Sequence, residues 1–346
     1  MKDRRVDGFR RPLIAITMGD PAGVGPEIVA RAAAAARLRA ACVPLVCGDP
    51  EVMRRAVELT GRRLTVREVA GPAETIDSPR TLCVVRGSHV SIVGFAPGKP
   101  QAACGEAAFR FVVDAVALAR AGKVSAIVTA PISKEALWMA GHRYPGHTEI
   151  LAELTRTRRF ALMLADGPRR VVHVTCHQPL AEAVGGVTRR RVLETLRLGN
   201  EAVRRLARRP PRIAVCGLNP HAGEAGLFGD EERRRILPAI RDALREGVRA
   251  VGPIPADTAF VRAFSGEFDL TVAMYHDQGH IPFKLACFQA ASGRMRTLRG
   301  VNVTLGLPIV RTSVDHGTAW DLAWKGEALP DSLLDAVEMA VALSVS

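Results

Sequence analysis

The sequence predicts an open, largely parallel α/β fold divided into two domains. Short apolar runs alternate with stretches of helical periodicity, the pattern of strands separated by crossover helices. The runs stop at Gly- and Pro-rich turns that carry polar side chains, where open α/β sheets bind their ligands. A length of 346 residues corresponds to about two domains.

Pro12–Met18 is the first strand. It ends in Gly19-Asp20-Pro21-Ala22-Gly23-Val24-Gly25-Pro26-Glu27, where Pro26 suits the first turn of a helix over Glu27–Ala41. These glycines do not complete a dinucleotide fingerprint. Ala41–Cys47 is a second strand, stopped by Gly48-Asp49-Pro50, and 51–60 is helical. Residues 61–104 read as short strands and turns. Gly105–Ala121 has helical spacing, and Ala126–Thr129 is a strand that leads through Ala130–Lys134 into a helix ending at Ala140.

Gly141–Glu149 is polar and turn-rich, the expected domain crossing. The first domain is then 12–140 plus 305–346, the second 141–304, behind a basic tail 1–11. In the second domain, strands Phe160–Leu164 and Arg170–Thr175 precede Cys176-His177-Gln178-Pro179. Thr188–Arg209 is an arginine-rich helix with an apolar stripe, read as a solvated basic face. Strand Arg212–Cys216 ends at Gly217–Glu224, and a helix covers Glu231–Glu246. The proline-rich Gly252–Asp257 leads to strand Leu270–Met274, which breaks into His276, Asp277 and Gln278. Gly279 and Pro282 are expected to end regular structure before Lys284. Gly300–Gly306, Ile309–Thr312, a loop Ser313–Thr318 and a closing helix Asp331–Ser346 complete the chain.

Hydrophobic content of 48% and charged content of 24% are those of an ordinary globular protein. No long apolar run follows the basic N-terminus, so neither a secretory signal nor a membrane span is expected. Seven cysteines without pairing pattern point to reduced thiols in a cytoplasm. The net charge of +13 invites a nucleic-acid reading, but much of the excess sits on one helix and aromatics are only 5%. The basic balance suits a phosphorylated, acidic small substrate better.

Three apolar strands each end within a few residues of a histidine: His177, His221 and His276. Neutral imidazoles ligate divalent ions, and three protein ligands with open positions make a catalytic site. Asp257 and Asp277 lie nearby in sequence, while His173, inside a strand, reads as packed. His147 and Thr148 start a helix whose free amides form an anion site, although a plain cap by Thr148 is equally good physics. Lys284 and Arg311 would complete a phosphate cradle as point charge and fork.

The stretches GDPAGVGPEI, YPGHTEILAELT, HVTCHQPL, GLNPHAGEAGLFGDEE, GPIPADTAF, YHDQGHIPFK, GVNVTLGLP and RTSVDHGTAWDLA resemble the 4-hydroxythreonine-4-phosphate dehydrogenase family over nearly the whole chain. The resemblance implies two-domain α/β/α subunits similar to isocitrate and isopropylmalate dehydrogenases, with the site in the cleft and at a homodimer interface. It implies NAD- and divalent-metal-dependent (Zn, Mg, Mn or Co) oxidation and decarboxylation of a phosphorylated 3-hydroxy acid. His177, His221 and His276 match the metal ligands, His276 being given to the partner's site. His147, Thr148, Lys284, Asn302 and Arg311 match substrate-binding positions. His316, Gly317 and Asp321 fall in the segment that resembles an adenosine-binding loop, where Asp321 on the ribose would favour NAD. Lys284, Asp257 and Asp277 are the candidates for acid and base.

Two departures stand out. Gln289–Arg299, with Arg294, Arg296 and Arg299, is an insertion that bears on the placement of Asn302. His280 stands where the pyridoxal-pathway enzymes usually show Leu. HDQGHIP, GLFGDEE and AWKGEA look more like the sister group acting on 4-phospho-D-threonate and 4-phospho-D-erythronate, and His280 is expected to line the site near substrate C2. The competing readings are 4-phosphohydroxy-L-threonine dehydrogenation and a non-catalytic metal- or phosphosugar-binding protein.

Overall fold

A computed structural model describes residues 11–87, 92, 94–291, 294–298 and 300–345, with the backbone alone at 288–291 and 294–298. The basic tail 1–10, His89 and the side chains of the insertion, Arg294 and Arg296 included, lie outside the described residues.

The described residues form fourteen strands. Five come first: β1 (Leu13–Thr17), β2 (Val43–Cys47), β3 (Thr65–Val69), β4 (Thr81–Val85) and β5 (Ala126–Thr129). Then come β6 (Ala161–Asp166), β7 (Arg169–His173), β8 (Arg212–Cys216), β9 (Arg249–Ile254) and β10 (Leu270–Ala273). Last are β11 (Phe288–Ala291), β12 (Arg294–Leu298), β13 (Val301–Leu305) and β14 (Arg311–Val314).

Contacts divide the chain into two units, one of residues up to Thr157 with Leu307–Val345, the other Arg158–Gly306. In the first, strands run β3-β4-β2-β1-β5-β14, every pair parallel. Every residue of β1 and β2 is buried, the near-continuous apolar run expected of parallel strands covered on both faces. Helices Gly25–Ala34, Pro50–Leu59, Ala102–Arg120 and Asp331–Ser344 do the covering. Asp49 caps the second by accepting from the amides of Glu51 and Val52. The expected helix over Glu27–Ala41 breaks at Ala35 (ψ 131°). The break lets buried Arg39 donate to the carbonyls of Ala33 and Thr81.

The crossing into the second unit falls at Thr157, later than Gly141–Glu149. The reason is that helix His147–Leu154 packs on Ala102–Arg120 and so belongs to the first unit. In the second unit the order is β13-β6-β7-β10-β8-β9. Here β13/β6 and β6/β7 are antiparallel, while β7, β10, β8 and β9 are parallel. The insertion folds as an antiparallel pair, β11 with β12.

Helix Arg189–Ala207 is less solvated than its composition suggests. Arg191 turns inward to donate to the carbonyls of Val174 and Phe160. Arg189 and Arg197 pair with Asp242 and Glu246.

Gly279 and Pro282 do not end regular structure, because helix His276–Cys287 runs through both. Packing overrides the lost proline bond: Phe283 is fully buried in the core of this unit. Gly279 is there for space, since a Cβ would lie 2.3 Å from His173 Nε2. No helix among the described residues is long and apolar enough to cross a membrane.

Candidate functional site

Past the ends of β7 and β10 the two chains run on together. Val174 N and Thr175 N donate to the carbonyls of Ala273 and Met274. This delivers Cys176 and His177 beside the first residue of helix His276–Cys287. Cys176 Sγ and one ring nitrogen each of His177 and His276 lie within 4.8 Å of one another. Asp277 Oδ1 is 2.7 Å from His276 Nδ1. That leaves Nε2 of His276 for a ligand, in the carboxylate–imidazole arrangement that orients metal-binding histidines. The donor set of thiol and imidazoles fits a borderline ion such as Zn or Co better than Mg.

Cys176 escaped the sequence reading, since a single cysteine in a reduced chain reads as core. It is the only one of the seven that is not buried. His276 stands beside His177 of its own chain, whereas the resemblance gives it to a partner.

His221 does not join this group among the described residues. The backbone from His221 to Ala225 is left-handed, with φ between 42° and 82°. Buried Glu232 holds the approach to it, accepting from the amides of Leu218 and Asn219 at 2.7 Å each. The His221 ring turns outward, its Nδ1 3.2 Å from Glu224 Oε2. Strained backbone of this kind costs on the order of 1 kcal/mol per non-Gly residue, and the sequence carries no signal for it.

His280 is 7% exposed and does not line an open site. Its ring stacks on His276 at 3.6 Å between centroids, and its Nδ1 lies 3.0 Å from the His276 carbonyl oxygen. His173 is packed, as its position in a strand suggested, and lies 4.6 Å from His280 between centroids. Burial pushes His173 down to about 3 and His280 down to about 4, with neighbouring imidazoles adding to both. Both rings are neutral at physiological pH.

His276, His280 and Lys284 follow at i, i+4 and i+8 along one helix face. Asp257 opens helix Ala256–Phe264, where its Oδ1 accepts from Thr258 N at 2.8 Å. Asp257 and Asp277 both line a groove with Phe260, Val261, Ile281 and Leu285. Asn302 is half-buried on β13, opposite Leu164 of β6.

The other unit holds a different constellation. Arg311 starts β14, is 2% exposed, and donates from Nη2 to Thr129 Oγ1 at 2.6 Å. Burial pushes its guanidinium down to about 9, against which Glu149 acts, so the cation persists at neutral pH. His147, at the start of helix His147–Leu154, is held well below the usual imidazole range, by burial first and by Arg311 second. Its Nε2 is buried with no hydrogen-bond partner among the described residues. A buried cation, an unsatisfied imidazole nitrogen and a helix N-terminus carrying Thr148 together fit an oxyanion.

The loop after β14 lies on the turn after β1. Val24 N donates to Thr318 O, and a Cβ at Gly23 would lie 3.1 Å from Thr318 Cβ. His316 is lowered by burial and its Nδ1 lies 3.0 Å from the Gly317 carbonyl. Nothing lies within 4 Å of a Cβ built at Gly317, and Asp321 is exposed. That open space is compatible with a nucleotide.

Two carboxyl groups here were passed over in the sequence. Asp20 is fully buried, accepts from Ala22 N at 2.9 Å, and is pushed up to about 6 by its burial. Both oxygens of Glu27 are buried without a partner among the described residues. Their place in a turn at a strand's carboxyl end was the available signal.

The profile of the family described as pyridoxal phosphate biosynthetic protein PdxA matches residues 40–340. The chain is 47% identical over 334 residues to a 4-hydroxythreonine-4-phosphate dehydrogenase of Geobacter metallireducens, covering 96% of each. It is 46% identical over 335 residues to a D-threonate 4-phosphate dehydrogenase of Cupriavidus necator, covering 96% of this chain and 97% of that one. The crystal structure of a 4-hydroxythreonine-4-phosphate dehydrogenase from Klebsiella pneumoniae matches with a TM-score of 0.87 at 43% identity, over 98% of this chain and 100% of that one.

Proposed function

This chain belongs to the family of pyridoxal phosphate biosynthetic protein PdxA, and from that premise we propose that it is an NAD- and divalent-metal-dependent dehydrogenase. Its substrate would be a 4-phosphorylated four-carbon 3-hydroxy acid, oxidised at C3 and decarboxylated at C1. The observation that carries the reading is the convergence of Cys176, His177 and His276.

His147, Thr148 and Arg311 would bind the phosphate, Arg311 with a fork of donors fixed by Thr129. His177 and His276, with Cys176, would hold the metal, and Asp277 would orient His276. A metal-bound role for His221 needs its loop to leave the outward-turned conformation. When bound, the nicotinamide accepts hydride and the metal acts as a Lewis acid. Lys284, two turns along the helix face that carries His276, is the preferred proton carrier. Lys284 takes the proton from the C3 hydroxyl and returns one to C2 after the C1–C2 bond breaks. His316, Gly317 and Asp321 would receive the nucleotide. A homodimer belongs to the reading: Val261, Ile281 and Leu285 in the groove are 67%, 65% and 81% exposed, an apolar face for a second copy.

Among substrates, 4-phospho-D-threonate and 4-phospho-D-erythronate are preferred, giving dihydroxyacetone phosphate and carbon dioxide. A C2 ammonium beside a bound divalent cation is repelled, and a C2 hydroxyl is not. The relatives named 4-hydroxythreonine-4-phosphate dehydrogenase, at up to 47% identity, favour 4-phosphohydroxy-L-threonine as the second reading. NADH formation with all three compounds, with and without a chelator, tests both levels. We expect metal-dependent turnover with the highest kcat/KM on threonate or erythronate phosphate. A tenfold preference for the hydroxythreonine compound would replace the substrate, and full activity in metal-free protein would remove the metal.

A further inference from the structure

Behind the proposed ligand His276 lies a second layer of imidazoles. The His280 ring is nearly parallel to that of His276, 13° between planes and 3.6 Å between centroids. It covers the face of His276 that turns toward the core, for His280 is 7% exposed. The Nδ1 of His280 reaches the His276 backbone carbonyl at 3.0 Å, so the same side chain touches both ring and main chain of its neighbour. His173 closes the other side at 4.6 Å between centroids, and its own Nδ1 lies 3.3 Å from the Leu162 carbonyl. Gly279 makes the approach possible, because a Cβ there would lie 2.3 Å from His173 Nε2 and 2.8 Å from Val171 Cγ1.

We propose that His280, braced by His173, is a positioning residue that fixes the plane of the His276 ring and so sets the metal affinity of the Cys176–His177–His276 group. The inference rests on the reading of that group as a metal site. An imidazole can bind an ion only along the line of its ring nitrogen, so freedom of the ring about its side-chain torsions is lost on binding. Asp277 restrains one edge of the ring through Nδ1. It is 69% exposed, however, and a single edge contact leaves the ring free to rock about it. Stacking against a buried partner restrains that motion before the ion arrives. A leucine at 280 fills similar volume but presents neither a flat face nor a donor to the carbonyl.

The test is Co(II) binding to the full-length chain, followed by calorimetry and by the visible absorption of the bound ion. Wild type, His276→Ala, His280→Leu and His280→Phe are compared, with thermal melts to verify folding. We expect His276→Ala to lose the site and His280→Leu to bind about tenfold more weakly with a shifted absorption band. His280→Phe, which keeps the flat face, should recover most of the affinity and the wild-type band. Unchanged affinity and spectrum in folded His280→Leu, with His276→Ala defective, would overturn the positioning role alone. Wild-type binding by His276→Ala would overturn the metal reading, and the inference with it. If His280→Leu does not fold, the Phe variant decides: a wild-type spectrum supports the stack, and a lost or displaced one overturns it.

Discussion

The two units gather polar groups around their strands in different ways. In the first, a cation is fixed in the core: Arg311 on β14, tied to Thr129 on β5, with His147 beside it. In the second, thiol and imidazole side chains are collected at a partly open edge, and behind them His173 and His280 are kept uncharged by burial. A buried positive charge is incomplete without an anion, whereas converging thiol and imidazole groups are the donor set of a metal cation. On the proposed assignment of ligands, one fold specifies ligand charge by where it places desolvation. One unit buries the charge itself; the other buries only the rings that support it.

The largest expected effect falls on the buried cation. Arg311→Met should lower kcat/KM by about a hundredfold, roughly 3 kcal/mol of charged hydrogen bonding. Arg311→Lys should recover little of it, because an ammonium lacks the planar fork. Arg311→Met should not melt below wild type, since the substitution also removes a costly buried charge. Steady-state kinetics and calorimetry check both halves, and a lower melting point with normal kinetics would make Arg311 structural.

Asp20 gives the next effect, with a sign that depends on pH. Its carboxyl is raised from 3.8 to about 6 in the folded chain. Between those values the folded state holds a proton that the unfolded state releases, so stability falls as pH rises. The loss is complete above about 6 and amounts to on the order of 2 to 3 kcal/mol. Asp20→Asn should therefore stabilise the protein at pH 8 and leave it nearly unchanged at pH 4. Equal effects at both pH values in denaturant melts would show that Asp20 is not protonated on folding.

A pair of glycines sharpens the contrast at smaller scale. Gly279→Ala would push a Cβ against His173 and Val171, costing about 1–3 kcal/mol of stability. Gly317→Ala meets open space and should stay within about 0.5 kcal/mol of wild type, while raising KM for NAD. Thermal unfolding with NAD-dependent kinetics separates the two, and equal destabilisation would mean the space at Gly317 is not kept for a ligand.

Which of these features the sequence discloses follows from how local they are. Strand ends were legible because apolar runs stop there, and His177 and His276 do lie just past the ends of β7 and β10. Parallel pairing followed from alternating strands and helices, but the antiparallel β6 and β13 needed the sheet order itself. Gly279 and Pro282 looked like breakers because local propensity argues so. The helix persists through Phe283 and the close approach of His173, a residue more than a hundred positions away in the chain. The outward turn of His221 depends on Glu232, and the stack of His276, His280 and His173 depends on the register of β7 with β10. Neither leaves a local trace.

The division of ligands between the units is tested most directly by titrating wild type, Arg311→Met and His276→Ala each with inorganic phosphate and with Co(II). Arg311→Met should lose phosphate and keep Co(II), and His276→Ala should lose Co(II) and keep phosphate. Loss of both ligands in either folded variant, or retention of its own ligand by each, would contradict the assignment of the anion to one unit and the cation to the other.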